Sequence, residues 1–112
     1  MRQIDGVVDS VLLRVKASRI DEGSLLFRKR IAAAIGHGFI RLVLDLGEVR
    51  QVDRRSAETF PVFRDSCRRK GGELAVLRAN PEVRREIRSG DPKGKVQFFE
   101  DLEAARTFLL SS

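Results

Sequence analysis

The sequence predicts an α/β fold, in which a mixed but mostly parallel central sheet of about five strands packs against about four helices. Three observations support this prediction. Segments with strand-like alternation recur between segments with helical spacing, in the order ββαβαβαβα. The segments with helical spacing begin and end at residues suited to cap or terminate a helix. No linker or internal repeat interrupts this order, so we expect residues 1–112 to form a single domain.

The N-terminal segment predicts a β-hairpin. Residues 6–8 and 11–15 are apolar stretches on either side of Asp9 and Ser10, two residue types that favour turns. Apolar residues of the second stretch alternate and share one face, namely Val11, Leu13 and Val15. We therefore expect the chain to begin with two paired strands.

Residues 23–36 predict the first helix. Apolar residues recur there at helical spacing, namely Phe27, Ile31, Ala34 and Ile35. Either Asp21 or Ser24 is suited to cap the start of this helix, and Gly36 and Gly38 are suited to end it.

Residues 40–46 predict the core strand of the sheet. Their apolar side chains alternate on one face, and Val43 adds an apolar side chain on the other face. This pattern is typical of a strand that is covered on one side and partly covered on the other.

Residues 55–70 predict the second helix, which two glycines end at residues 71–72. Apolar residues recur there at helical spacing, namely Phe60, Phe63 and Cys67. Pro61 conflicts with this helix, because proline lacks a backbone N–H and clashes with the preceding turn. We therefore expect residues 54–60 to be irregular, or to form a short turn before a helix that begins near residue 60.

The last four elements are a strand, a helix, a strand and a helix. Residues 74–77 predict a short buried strand, and Asn80 followed by a proline opens a helix that Gly90 closes. Residues 96–99 predict the last strand, and Asp101 is suited to cap the terminal helix. The inward-facing residues of these two helices are predicted to be Val83, Ile87, Leu102, Ala105 and Leu109.

The positive charge is concentrated in the second half of the chain. The formal net charge is +6, and residues 50–95 contain thirteen basic and seven acidic residues, whereas the remainder of the chain contains nine of each. This asymmetry favours an anionic or acidic partner for that half, although a solvated basic surface that aids solubility is the alternative.

Composition argues against several classes of protein. The longest run without a charged residue, residues 31–40, is half of the roughly 20 residues that a membrane-spanning helix needs. The N-terminus carries charged residues and no apolar stretch typical of a signal peptide, so we expect a cytoplasmic location. Cys67 is the only cysteine and His37 the only histidine, so the chain offers neither an internal disulfide nor a Cys/His zinc site.

The same residues argue against catalysis. Cys67 shares a stripe with two phenylalanines, which indicates a small core residue rather than a nucleophile, and His37 lies in a distant turn. Glu82 and Glu86 alternate with arginines, which indicates an exposed helix face. We therefore expect a protein that is not an enzyme, with no catalytic residue, no metal site and no cofactor.

Residues 42–53, with the sequence LVLDLGEVRQVD, resemble the STAS domain, the fold of bacterial anti-sigma factor antagonists. In that family, a hydrophobic strand ending in Asp-Leu leads through a short loop to an Asp-Ser-Ser-Gly or Asp-Ser-Thr-Gly motif at the start of a helix. The resemblance implies a single STAS-like domain.

Four further segments resemble the same family. Residues 71–77 are similar to its Gly-Gly-Glu-Leu strand entry, residues 80–85 to its next helix start, and residues 99–105 to its last helix start. Residues 19–21 lie where family members carry a Leu-Asp pair before the first helix. The five segments follow one another in the family's order over residues 10–110.

The chain departs from the family at the phosphorylation motif. Aligned from Asp53, Arg54 replaces the phosphorylatable serine, Arg55 replaces the next serine or threonine, and Ser56 replaces the glycine. The resemblance therefore implies a binding module without the usual phosphorylation switch. Phosphorylation of Ser56, which follows two arginines, is one alternative for this hydroxyl, and capping of the helix is the other.

The resemblance implies a regulatory protein-binding module, similar to an anti-sigma factor antagonist in a bacterial partner-switching pathway that controls transcription. Its expected partner is an anti-sigma factor of the serine-kinase-like ATPase type, or another regulatory ATPase. Two alternatives remain, namely a STAS subunit of a transporter or sensory complex, and a basic domain that binds nucleic acid or another anion. Against nucleic acid, the chain has no Tyr or Trp, and most of its phenylalanines fall on predicted core faces.

The candidate partner- or anion-binding residues surround the start of the second helix: Asp21, Asp53, Arg54, Arg55 and Ser56. We expect Asp53 to cap the helix, Asp21 to lie in a neighbouring loop and Ser56 to serve as a cap or a contact. Arg54 and Arg55, beside free backbone N–H groups, are suited to bind a phosphate or a carboxylate. The alternative is that both long side chains extend into solvent.

Overall fold

The structure is a computed structural model that describes residues 9–22 and 24–111. Its elements, in chain order, are β1 Ser10–Arg14, β2 Arg19–Ile20, α1 Leu25–Gly36, β3 Arg41–Asp45, β4 Gln51–Val52, α2 Arg54–Arg69, β5 Glu73–Leu77, α3 Pro81–Ser89, β6 Gln97–Phe99 and α4 Leu102–Leu110. The predicted α/β fold with four helices is confirmed. Within the described residues, no helix is both long enough and apolar enough to span a membrane.

The central sheet has four strands in the order β1-β3-β5-β6, and all of its strand pairs are parallel. Val43 of β3 lies between Leu12 of β1 and Ala75 of β5, so β3 is an inner strand, as predicted. β2 and β4 form a separate parallel pair. The first strand of the predicted hairpin, residues 6–8, lies outside the described residues, and Ser10, predicted to lie in a turn, opens β1 instead.

The helices cover both faces of the central sheet. One face packs against α1, α2 and α3 in the larger core cluster, where Leu44 and Val76 of the sheet accompany Ile31 and Phe60 of the helices. The other face packs against α4 in a smaller cluster formed by Leu12, Val43, Ala75, Leu77, Ala105 and Leu109. Because successive side chains of a strand point to opposite faces, the nearly continuous apolar runs of β1, β3 and β5 supply both clusters.

Three of the four helices begin at a capping side chain. The carboxylates of Asp53 and Asp101 and the amide oxygen of Asn80 each accept a hydrogen bond of 2.8 Å from the backbone N–H three residues later. Ser24 occupies the N-cap position of α1 but makes no such bond. Its hydroxyl instead accepts a hydrogen bond from the backbone N–H of Asp21, so Ser24, one of the two predicted candidates, holds the N-cap position without a side-chain capping bond.

Helix α2 runs unbroken through Pro61, so the prediction of an irregular segment at residues 54–60 was wrong. The inward face of the helix carries Phe60 and Cys67, both completely buried, on either side of the proline. Burial of a phenylalanine side chain contributes about 1.5 to 3 kcal/mol, which offsets the loss of one backbone hydrogen bond at the proline. Tertiary packing therefore overrides the local preference against proline inside a helix.

Candidate functional site

The two-stranded sheet joins the loop before α1 to the start of α2. Ile20 of β2 pairs with Val52 of β4 in parallel register, and the backbone N–H of Asp53 donates a 3.0 Å hydrogen bond to the carbonyl of Ile20. Asp21 and Asp53 therefore follow adjacent strands at the same edge. Strands of two residues are too short to produce a periodic pattern, which is why the sequence did not predict this sheet.

Asp53 is the N-cap of α2. Its carboxylate accepts a 2.8 Å hydrogen bond from the backbone N–H of Ser56. Ser56, through its side chain first and its backbone N–H second, holds the pKa of the Asp53 carboxyl below its ordinary value. The backbone N–H of Glu22 and the positive charge of Arg19 act in the same direction, whereas desolvation opposes them. The start of α2 therefore presents an ionised carboxylate at neutral pH.

Arg54 and Arg55 project from the first turn of α2 into solvent. Their side chains are 67% and 79% exposed. Arg54 lies 3.8 Å from Glu58, one turn further along α2, and Arg55 forms a 3.0 Å ion pair with Glu22 in the loop before α1. These carboxylates partly offset the unfavourable interaction of two cations with the positive end of the helix. Both guanidinium groups keep most of their surface accessible to a partner.

Ser56 lies beneath this surface. The residue is 2% exposed, and its hydroxyl oxygen is buried without a hydrogen-bond partner of regular geometry. The side chain of Ser56 therefore neither caps α2, a role that Asp53 fills, nor reaches a surface where a partner could contact it. A kinase would have to open the first turn of α2 to reach this hydroxyl.

An apolar groove runs between α1 and α2 beside the two arginines. Its volume is about 610 Å³, and its apolar lining comes from Ala32, Val62 and Phe63, with Thr59 alongside. Val62 is 59% exposed, whereas the ring of Phe63 packs edge-on against Phe27. Four charged residues complete the lining, namely Arg28, Lys29, Arg55 and Glu58. We call this feature the α1/α2 groove.

The α1/α2 groove was not predicted from the sequence. The signal available was Val62, an apolar residue on the polar side of α2, next to the inward stripe that contains Phe60. Its exposure becomes meaningful only when α1 is placed beside α2, because single exposed apolar side chains are common on protein surfaces.

The family model of the STAS domain matches residues 1–105, nearly the whole chain. The chain belongs to the STAS domain family.

Three solved structures show the same fold. The crystal structure of TM1081 from Thermotoga maritima, described as a candidate anti-sigma factor antagonist, has a TM-score of 0.77 and 19% sequence identity, covering 97% of this chain and 92% of that one. The NMR structure of TM1081 gives a TM-score of 0.76 and 23% identity, covering 95% of this chain and 86% of that one. The murine anion transporter, solute carrier 26 family member A9 in the inward-facing state, gives 0.73 and 17%, covering 95% of this chain and 18% of that one. No curated protein is significantly similar in sequence.

In this STAS domain, four of the five candidate residues lie around the start of α2. Asp21 and Asp53 follow paired strands, and Arg54 and Arg55 occupy the first two helical positions after Asp53. The ion pair between Arg55 and Glu22 connects the helix to the loop that contains Asp21. Ser56 is the exception, because its side chain is buried below the other four.

The thiol of Cys67 is poorly placed to act as a nucleophile. Cys67 is completely buried, and burial together with the negative charge of Glu73 raises the pKa of its thiol to about 12. His37 lies in the exposed turn after α1, with Nδ1 2.7 Å from the carbonyl oxygen of Ala33. Among residues 9–22 and 24–111, no three His, Cys, Asp or Glu side chains are grouped so that they could hold a metal ion.

Proposed function

We propose that this STAS domain is a regulatory protein-binding module of the anti-sigma factor antagonist type in a partner-switching pathway. Its partner is a serine-kinase-like anti-sigma factor or another regulatory ATPase, which docks on Asp21, Asp53, Arg54 and Arg55 at the start of α2. The proposed setting is the bacterial cytoplasm, where the domain acts by binding and carries out no catalysis.

The observation that carries this proposal is the position of Arg55. This side chain belongs both to the exposed arginine pair at the start of α2 and to the lining of the α1/α2 groove. An apolar surface bordered by charge is typical of a protein interface, since the apolar part supplies binding energy and the charged part supplies orientation and specificity. A small anion would not need the exposed side chain of Val62 beside its binding site.

The proposed module lacks the usual phosphorylation switch. In the family pattern, a phosphate on the first serine of the helix blocks partner binding by its charge and bulk. Arg54 occupies the corresponding position, and a guanidinium group cannot serve as that phosphoacceptor. Because the hydroxyl of Ser56 is buried, it is poorly placed to substitute. We therefore propose a module that is permanently able to bind, or one whose partner is regulated by other means.

The test is affinity capture of the tagged protein from a lysate of its native host, with and without nuclease treatment, followed by mass spectrometry. The wild type should retain a kinase-like ATPase, and Arg54→Glu combined with Arg55→Glu should lose it. The matched control is Arg69→Glu combined with Lys70→Glu at the opposite end of α2, because both residues are exposed and both double variants lower the net charge from +6 to +2. Equal loss in both variants, or retention in both, would refute the assigned site.

Other captured proteins would identify the alternative functions. Recovery of a transporter or its ABC-type ATPase, again lost with the Arg54 and Arg55 variant, would place the domain in a transport complex. Recovery only of nucleic-acid-associated proteins that disappear after nuclease treatment would mean that the basic half of the chain binds nucleic acid. Either result would overturn the anti-sigma factor antagonist assignment.

A further inference from the structure

Glu22 connects the loop before α1 to both helices of the α1/α2 groove. Its carboxylate forms the 3.0 Å ion pair with Arg55 of α2, and its backbone carbonyl accepts a 3.1 Å hydrogen bond from the guanidinium group of Arg28 of α1. Glu22 was not among the candidate residues predicted from the sequence, because nothing local indicates that Arg55 lies beside it. Its position gives it direct influence on the cation that joins the arginine pair to the groove.

The ion pair between Glu22 and Arg55 lies at the surface. Both side chains stay mostly exposed, 62% for Glu22 and 79% for Arg55. An exposed ion pair contributes little to the stability of a fold, because water solvates the separated charges well and screens their attraction. Breaking this pair therefore costs the folded domain little, and Arg55 can exchange Glu22 for another carboxylate.

The charges around Arg55 favour an acidic side chain. The groove is lined by three cations, namely Arg28, Lys29 and Arg55, and by a single carboxylate, that of Glu58. Glu58 lies 3.8 Å from Arg54, so its charge is already partly offset. The resulting positive potential attracts an acidic residue of a partner and repels a basic one.

Apolar contact area lies on the same face of α2. Val62 and Arg55 are two helical turns apart and both line the groove, and Val62 is 59% exposed. A groove between two helices accommodates the apolar face of a third helix. A helix that packs against Val62 therefore brings its flanking polar residues within reach of Arg55.

We propose that the partner docks with a helix whose acidic side chain displaces Glu22 from Arg55, and that Glu22 thereby selects for acidic partners. This inference rests on the proposed function and deepens it by naming the chemistry of the partner. Exchange of one carboxylate for another keeps Arg55 paired while the interface closes. An apolar residue would bury this guanidinium group without a counterion, and a basic residue would be repelled.

Glu22 also sets a threshold for binding. Because it belongs to the same domain as Arg55, its carboxylate competes at an effective concentration that is roughly millimolar or higher. Isolated carboxylates at lower concentrations therefore do not displace it. A partner succeeds only when its contacts with the groove, such as those with Val62, add to the attraction of its acidic side chain.

The test uses two synthetic amphipathic helical peptides that share a leucine face and differ in their flanking residues, glutamate in one and lysine in the other. Fluorescence anisotropy measures their binding to the full chain, and the wild type should bind the glutamate peptide more tightly. Glu22→Gln should tighten this binding about two- to fivefold, the factor that corresponds to one exposed ion pair. The matched control is Glu103→Gln on α4, which removes the same charge from an exposed carboxylate paired with Arg106 and should leave the affinity unchanged.

A charge exchange separates selection from a structural role. Glu22→Arg combined with Arg55→Glu allows an ion pair of reversed polarity and leaves the net charge at +6. If the pair only holds the loop in place, this double variant keeps the wild-type preference between the peptides. If Arg55 receives the acidic side chain of the partner, the preference for the glutamate peptide is lost.

Four results would overturn the inference. They are no binding of either peptide, a wild-type preference for the lysine peptide, unchanged or weaker binding of the glutamate peptide by Glu22→Gln, and equal tightening by Glu22→Gln and Glu103→Gln. The last result shows only diffuse attraction to a basic protein. The peptides test the site without any captured protein, so its failure is separate from that of the proposed function. If the peptides behave as expected and capture retains no kinase-like ATPase, only the proposed function fails.

Discussion

Gly72 lies so close to Ile40 that a Cβ atom at position 72 would fall 1.9 Å from the carbonyl oxygen of Ile40. The same carbonyl accepts a 3.0 Å hydrogen bond from the backbone N–H of Glu73, the first residue of β5. The preceding residue, Gly71, has a φ of +88°, which allows the sharp turn out of α2. The two positions before β5 therefore favour glycine for different reasons: Gly71 forms a turn, and Gly72 allows a close backbone approach.

Gly72→Ala should destabilise the fold by about 3 kcal/mol, because the backbone at the start of β3 or of β5 has to move. Thermal or urea unfolding followed by circular dichroism measures this change. The control is Gly36→Ala at the end of α1, where an added Cβ meets nothing within 4 Å. That variant should be neutral or slightly stabilising, and an equal loss of stability in both variants would contradict the close-approach explanation.

Glu73 is a buried carboxylate whose partners are two arginines of α2. Arg64 lies 3.1 Å from it and Arg68 lies 3.4 Å from it, and the side chain of Arg64 is the more buried of the two. Arg64→Met should therefore destabilise the domain by about 3 kcal/mol, since it leaves a buried charge with a weaker partner. Arg68→Met should cost less. Unfolding in urea measures both.

The double variant Arg64→Met with Glu73→Gln tests the cause of that loss. Removing both charges should restore part of the stability lost in Arg64→Met, because no unpaired ion is left in the interior. If the double variant loses as much stability as Arg64→Met and Glu73→Gln lose together when each is measured alone, the ion pair is not the reason for the loss.

Local signals in the sequence predicted the four helices, the four strands of the central sheet and three helix caps, but not β2 and β4. Asn80 and Asp101 each precede a helix whose backbone N–H groups they satisfy, and such short-range signals are carried by neighbouring residues. Contacts between distant segments were not predictable in this way. The pairing of Arg64 with Glu73 was not predicted, because nothing local shows that Glu73 lies buried beside it. The effect of Pro61 on α2 was overestimated for the same reason, because the core contacts that stabilise this helix come from segments distant in sequence.

Within the candidate site, too, some features follow from local residue order and others depend on contacts between distant segments. Asp53 as a helix cap and the exposure of Arg54 follow from residue types and their order at a helix start. The burial of Ser56 depends on how α2 packs on its neighbours, and the groove between α1 and α2 depends on the placement of α1 beside α2. A linear sequence pattern does not show which helices become neighbours in the fold.

Asp53→Asn should change the pH dependence of stability without removing the helix cap, because asparagine is an equally good N-cap residue. The folded-state pKa of Asp53 lies below the ordinary value of 3.8, so its charge stabilises the native state above that value, and this contribution is lost as the pH falls through the folded-state pKa. The melting temperature of the wild type should exceed that of Asp53→Asn at neutral pH, and the difference should disappear in strong acid.

A parallel measurement on Asp53→Ala separates the cap from the charge. This variant removes the hydrogen bond to the Ser56 backbone as well, so it should be less stable than Asp53→Asn at neutral pH. If the difference in melting temperature between wild type and Asp53→Asn persists unchanged below the folded-state pKa of Asp53, the carboxylate charge is not the source of the stabilisation.

Ser56→Ala should change stability by less than about 1 kcal/mol at neutral pH, because the gain from removing a buried hydroxyl without a regular hydrogen bond offsets the loss of its interaction with the Asp53 carboxylate. Ser56→Glu should lower stability instead, since it forces a charge and extra volume into a closed space. Urea unfolding of both variants measures these effects. Partly exposed Ser66, with the substitution Ser66→Glu, is the control and should have a smaller effect, since only its own hydrogen bonds are lost. A stable Ser56→Glu variant would mean that the first turn of α2 opens readily, and that phosphorylation at this position is feasible.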